Sequence, residues 1–337
     1  MFRHHSTPTP ARRGFTLVEL MVVFVILSIL ASLTLAGLNV ARGRSKYAKT
    51  RSTITKINSV IQPFYESFEN RRVGGPMVRA MAPPPADGFQ YDSYIDSSVT
   101  PNRIYGPKVG NVWGTASTLP SKLALGVLAR RRLLMLHEMP DAWTDVRNGG
   151  AGVETGTPLL PGYVKTGAVR GYAAFKASRG PSPTHESAEC LYMIVTRSGD
   201  EPYAVEQFHS AEVGDKDGDG APEFLDAWGN PIIFLRWAPG FSAPYSQTQV
   251  RDAVNFHDPM DTQKVDADAF ALQPLIVSGG DDGLTGLLVP AAPDLWPNLD
   301  LTSLVKSATS PAGILGQPDP GNPTAYRDNV TNHDISR

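Results

Sequence analysis

The chain has 337 residues, with 31 Lys and Arg against 33 Asp and Glu, so its net charge of -2 gives it no bulk attraction for nucleic acid or for acidic substrates. At 41% apolar, with 31 Gly and 29 Pro, it is rich in turn formers, which favours a loop-rich mixed fold over a helical bundle. Its single cysteine, Cys190, excludes an intramolecular disulfide and any cysteine-based zinc or redox motif.

Residues 1–14, MFRHHSTPTPARRG, form a polar leader that holds Arg3, Arg12 and Arg13, no acid, and two prolines that keep it extended. From Phe15 to Leu38 the chain is apolar apart from Glu19, and its length suits a helix crossing a hydrocarbon core of about 30 Å. A secretory signal peptide is cut after its apolar run and a plain anchor is not cut at all. Neither accounts for Glu19, because an acid inside lipid is costly and needs a named partner. Cleavage between Gly14 and Phe15 supplies one, since the new Phe15 ammonium falls one turn from Glu19 or beside the Glu19 of a neighbouring helix.

The run Arg13-Gly14-Phe15-Thr16-Leu17-Val18-Glu19-Leu20 resembles the cleavage and methylation signature of type IV prepilins and type II secretion pseudopilins. The resemblance implies that a prepilin peptidase cuts after Gly14, that Phe15 is N-methylated, and that Glu19 aligns subunits during assembly. It also implies a bacterial inner-membrane protein with one span, a cytoplasmic leader and a periplasmic head. Arg42, Arg44, Lys46, Lys49 and Arg51 on the far side of the span favour the opposite orientation by the positive-inside tendency alone. A recognised export signal outweighs that bias.

Past Leu38 the helix is expected to continue, with Tyr47, Ile54, Ile57, Ile61, Phe64 and Phe68 at helical spacing as a stripe facing the core. Arg44, Lys49, Arg51, Lys56 and Glu66 occupy its other faces. Gly37 and Gly43 are weak points of the helix, and Pro63 is expected to kink or shorten it. The domain layout that follows is a leader at 1–14, a membrane and filament-core helix at 15–39, an amphipathic helix at 40–72 and a head at 73–337. Within the head, 73–200 reads as an insertion, 201–290 as a sheet core with acidic loops, and 291–337 as a Pro/Gly-rich end.

Between Arg72 and Pro120 the Gly and Pro content predicts irregular structure. A second helix is expected near Pro120–Met139, with the Arg130-Arg131-Arg132 run read as a solvated face, the alternative being a site for an anionic partner. Ala188–Thr196 is a third apolar run, ambiguous between helix and strand by its pattern and read as a helix because Ser187 and His185 stand near its start, with Cys190 buried as a small hydrophobe.

The densest chemistry lies at 214–231, GDKDGDGAPEFLDAWGNP. Asp215, Asp217 and Asp219 stand at positions 1, 3 and 5 of a twelve-residue window, Gly220 at 6, Glu223 at 9 and Asp226 at 12, the spacing of an EF-hand-type calcium loop. Gly220 lets the backbone fold back so that the Ala221 carbonyl adds a ligand. Asp at position 12 is shorter than the usual Glu, and the flanks do not read as paired helices. An acidic solvated turn is the alternative.

Asp226-Ala-Trp-Gly-Asn-Pro231 then leads into the strand-like run Ile232–Trp237. This is similar to a segment of the G-type major pseudopilin of type II secretion, in which Trp228 would be a packing anchor and Gly229 and Asn230 would shape the turn. Leu275–Gly283, a strand ending in a Ser-Gly-Gly-Asp-Asp-Gly turn, resembles the same family, where such a loop and a later Asp segment hold a structural calcium. Carried over, the candidates are Asp281, Asp282 and Asp328, the alternative being an ordinary Asp/Gly turn.

No GxSxG, HExxH, GxxxxGK[ST] or GxGxxG occurs, and no two of the seven His stand at i, i+4 spacing to share a metal. The expected fold is α+β, a long N-terminal helix with a transmembrane half and an amphipathic half packed on a small antiparallel sheet, with large loop-rich insertions. The expected function is that of a non-enzymatic filament subunit, pseudopilin or pilin-like. Its partners would be copies of itself, related pseudopilins, the prepilin peptidase and an inner-membrane assembly platform, without nucleic acid, and calcium would be structural. The alternative is a minor pilin or adhesin whose large head recognises a surface or substrate, with a membrane-anchored hydrolase as a weaker third.

Overall fold

A computed structural model describes residues 16–71, 128, 131–132, 134–146, 167–180, 182, 184–197, 206–241, 254–264, 270–289 and 315–334 in full. It gives the backbone of five short strands besides. Helix α1 spans Leu17–Asn70 and is unbroken through Gly37, Gly43 and Pro63, so the proline does not end it. The chain divides into two units, 1–46 and 47–337, with the division inside α1 at Lys46/Tyr47.

In the first unit every large apolar side chain from Leu17 to Val40 is exposed. Two hydroxyls in this stretch turn back on their own helix, Ser28 Oγ donating to the Phe24 carbonyl at 2.7 Å and Thr34 Oγ1 to the Leu30 carbonyl at 3.0 Å. Polar groups satisfied within the helix are what a segment without water around it requires.

In the second unit the rest of α1 buries Thr50, Thr53, Ile54, Ile57, Ile61, Tyr65 and Phe68. The 3- and 4-residue steps from Ile54 put these side chains on one stripe, and Phe64 is half-buried at its edge. Tyr47, expected in the stripe, is 40% exposed because the core begins a turn later, at Thr50.

Polar residues of α1 bind four other segments. Thr50 Oγ1 accepts the Ala227 N–H at 3.0 Å, Tyr65 Oη donates to the Leu272 carbonyl at 2.6 Å, Asn332 Nδ2 donates to Asn58 Oδ1 at 2.9 Å, and Lys56 Nζ lies 2.9 Å from Glu212 Oε2.

Strands β1 (Met77–Val78), β2 (Asp92–Asp96) and β3 (Arg103–Lys108) form an antiparallel sheet in the order β1-β3-β2. The segment 72–120, expected to be irregular, therefore contains strands; short paired runs between many prolines leave no sustained alternation to read. Residues 128, 131–132 and 134–138 are helical, as expected. Arg132, however, is buried rather than solvated, its Nη2 bonded at 2.6 Å to Asp258, and Arg131 donates to the Met260 carbonyl at 2.8 Å. A charge run shows only sequence-local information, and the acid that draws Arg132 inward lies far along the chain.

Two helices follow, α2 (Gly167–Arg179) and α3 (Glu186–Arg197), the latter burying Cys190, Leu191, Met193, Ile194 and Val195. Helix α3 packs on β5 (Glu223–Phe224), which pairs with β4 (Val213–Gly214) in a hairpin, and on β6 (Ile233–Leu235). Strand β6 pairs antiparallel with β7 (Leu275–Ser278), which pairs on its other side with β10 (Val330–Thr331). A further pair, β8 (Thr309–Ser310) and β9 (Gly313–Ile314), lies between them in sequence.

One core cluster joins Ile57, Ile61 and Phe68 of α1 to Met135, Leu136, Tyr172, Phe175, Leu191, Ile194, Phe224, Phe234 and Ile276. The described residues of 128–197 thus supply part of this core alongside the strands after 201, within the stretch that the sequence marks as an insertion. Trp228, expected as a packing anchor, is only half-buried; Trp143 and Trp237 are the buried indoles among the described residues. The fold is α+β with loop-rich additions.

Candidate functional site

At the start of α1, the Thr16 N–H donates to Glu19 Oε2 at 2.9 Å and the Glu19 N–H donates to Thr16 Oγ1 at 3.2 Å. This reciprocal pair is a capping box, satisfying two of the backbone donors that a helix N-terminus leaves unpaired. The Thr16 hydroxyl also donates to Glu19 Oε2 at 3.0 Å. Thr-x-x-Glu before an apolar run is legible as a capping signature, and sequence reasoning passed over Thr16. Gly14 and Phe15 lie outside the described residues. Glu19 is exposed, and it is the one charged residue between Leu17 and Val40.

The acidic segment is the connection between β4 and β5. Asp215 closes it from within, Oδ1 accepting the Gly218 N–H at 2.7 Å and Oδ2 the Gly220 N–H at 2.9 Å. Gly218 at φ +78 and Gly220 at φ +95 adopt the left-handed turn this requires. Asp219 accepts the N–H groups of Ala221, at 2.8 Å, and Ser182, while Asp217 accepts the Ser182 hydroxyl at 2.7 Å. Burial pushes the Asp219 carboxyl up, but those donors outweigh it and hold it below the ordinary value. Glu223 Oε2 accepts the Lys216 N–H at 3.0 Å.

Two groups of carboxylates converge here, each with its ligand atoms within 4.8 Å of one another: Asp215, Asp217 and Asp219, and Glu189, Asp217 and Glu223. Glu189 comes from α3 and was not foreseen; its one sequence signal is an acid in the apolar run AECLYMIVT. Burial pushes the Glu189 carboxyl up to about 8, against the bond from Trp143 Nε1 that lowers it. Burial likewise raises Glu223 to about 7, with the neighbouring aspartates adding to the rise.

Asp226, expected at position 12 of a calcium loop, is placed elsewhere. Its Oδ1 accepts the N–H groups of Trp228 at 2.8 Å and Asn230 at 2.9 Å, and its Oδ2 accepts the Ser278 hydroxyl at 2.7 Å. The hairpin turns away after Glu223, so Asp226 closes the next turn, where Gly229 adopts φ +88.

The second acidic loop does meet Asp328. Asp328 Oδ2 accepts the N–H of Asp281 at 2.9 Å and of Asp282 at 3.3 Å, and a Cβ on Gly280, at φ +64, would fall 2.5 Å from the Asp328 carbonyl oxygen. Asp282 Oδ1 is occupied by the Leu284 N–H at 2.8 Å. These three carboxylates are not among the converging groups of the described residues. Asp328 here closes a turn through backbone donors.

A buried charge cluster centres on Arg236, which follows β6. Its guanidinium reaches Asp141 and Asp145, both at 3.0 Å, and the Met139 carbonyl at 2.6 Å. Burial raises Asp145 to about 7, opposed by Arg236. Cys190 is fully buried and its thiol is pushed well up by desolvation, which makes it a packing residue and a poor nucleophile.

Residues 9–35 match the family model described as the prokaryotic N-terminal methylation motif, and no curated protein and no solved structure matches the chain. The matched stretch contains the leader's end, Glu19 and the first turns of the exposed apolar helix, which fits a membrane anchor. The match is consistent with a type IV pilin-like protein, the kind of precursor that prepilin peptidase processes, and it supports a structural, pilin-type role.

Proposed function

We propose that the protein is a pseudopilin or pilin-like structural subunit of a type II secretion or type IV pilus-like filament. Before assembly it sits in the bacterial inner membrane with its head in the periplasm. The observation that carries this reading is the first half of α1, a helix apolar on every side with one exposed carboxylate at its first turn. Cleavage after Gly14 leaves the Phe15 amine, N-methylated, next to the Thr16–Glu19 capping box. In a bundle of such helices, Glu19 neutralises the Phe15 ammonium of an adjacent subunit. Either charge buried alone costs several kcal/mol, so the pairing fixes the axial register of the subunits. The partners are other copies of this chain, related pseudopilins, the prepilin peptidase and an inner-membrane assembly platform.

The test is Glu19→Ala in the full chain, followed by filament incorporation. The variant is expected to be processed to a Phe15 N-terminus and to keep its head folded by circular dichroism, yet to be missing from sheared filaments. Incorporation at the wild-type level would sink the reading. So would a mature chain that still begins at Met1 in cells that contain the peptidase.

A further inference from the structure

We propose that Glu189, Asp217 and Glu223 hold a divalent cation of the calcium class, which ties helix α3 to the acidic hairpin. This does not depend on the filament reading, and it replaces the loop-only ligand set with one drawn from two elements.

The first support is convergence. Oxygens sharing a calcium ion at about 2.4 Å lie no more than about 4.8 Å apart. The three carboxylates meet that condition, one from a helix, one from a loop and one from a strand.

The second support is independent of the cluster's charge. Glu189 and Glu223 are both fully buried, at 0% exposure. Each has one oxygen engaged, Glu189 Oε2 by the Trp143 indole N–H and Glu223 Oε2 by the Lys216 N–H. Each keeps Oε1 buried with no hydrogen-bond partner. A buried acceptor left without a donor is costly, and two of them in one acidic group call for a cation between them.

No protein cation fills that role among the described residues. The Lys216 ammonium is turned to the Gly229 carbonyl at 2.9 Å, and the Arg179 guanidinium to the Gly220 carbonyl at 2.8 Å. With Asp215 and Asp219 grouped around the same Asp217, five carboxylates gather here.

All-oxygen, carboxylate-only ligation selects a hard cation, and an irregular set of acids drawn from a helix, a loop and a strand suits calcium better than magnesium, which demands a near-ideal octahedron. The Ser182 bonds to Asp217 and Asp219 orient two of the acids from behind. Bound there, the ion would fix α3 against β5.

The experiment uses the full-length chain in detergent micelles, titrated with calcium chloride by calorimetry after treatment with chelator. One ion per chain is expected, together with a higher melting temperature in calcium than in EGTA. Glu189→Gln and Glu223→Gln should each weaken binding by about tenfold or more, while the double variant Asp281→Asn/Asp282→Asn binds as wild type. Terbium provides a second readout if a glutamate variant fails to fold. Excitation of tryptophan should sensitise emission from bound terbium, and Trp143→Phe should remove most of that emission. The proposal is overturned if the wild-type chain binds no calcium, if folded Glu189→Gln keeps wild-type affinity, if the Asp281/Asp282 double variant loses the ion, or if Trp143→Phe leaves terbium emission unchanged.

Discussion

Ser278, the last residue of β7, donates a 2.7 Å hydrogen bond to Asp226 Oδ2 and so ties the central strand of the sheet to the Asp226–Asn230 turn. Both side chains are buried. The other Asp226 oxygen holds the turn itself, so one carboxylate joins a local and a long-range constraint. Asp226→Ala should destabilise the head by about 3 kcal/mol, since it strands two backbone donors and a buried hydroxyl. Ser278→Ala should cost about half as much, because the turn bonds remain. Urea unfolding of the full chain reads both, and equal losses would show that the turn matters little by itself.

Arg236 compensates two buried acids, Asp141 and Asp145, at once. Arg236→Met should cost about 3–5 kcal/mol by leaving two buried acids unpaired. Adding Asp141→Asn and Asp145→Asn should recover part of that loss, since the stranded charges are then gone. A triple variant no more stable than the single one would place the damage in lost packing instead.

Ile57 is fully buried in the α1 stripe, whereas Tyr47 is 40% exposed. Ile57→Ala should therefore cost about 2–5 kcal/mol through the cavity it leaves. Tyr47→Ala should stay within about 0.5 kcal/mol. Similar losses at both sites would mean that the core extends farther up the helix than Thr50.

Burial lowers His333 from its ordinary value of 6.5 to about 4, beside the Phe241 ring at 5.3 Å. The unfolded chain takes up a proton below about pH 6.5 that the folded chain refuses until about pH 4, so this residue makes stability fall as the pH drops through that window. The loss levels off below it and totals on the order of 3 kcal/mol. Denaturant midpoints of wild type and His333→Phe should diverge across pH 6.5–4. Parallel profiles would remove His333 as the cause.

The N-terminal class, the course of α1, the helix at α3 and the strands at β6 and β7 are all legible in the sequence. Each is written in neighbouring residues: a cleavage signature in eight positions, apolar steps of three and four, an apolar run bounded by turn formers. Hydrophobic periodicity is a local property, so it survives without knowledge of the fold. What each charged side chain does was decided only by tertiary structure. Asp226 looked like a metal ligand by spacing, yet Ser278 and its own turn take both of its oxygens. Arg132 looked solvated, yet Asp258 draws it inside. Glu189 looked like one acid in a helix, yet the packing of α3 on β5 brings it to Asp217 and Glu223. A carboxylate or guanidinium takes its role from whatever lies within a few ångströms through space, and its spacing along the chain carries no record of that neighbour.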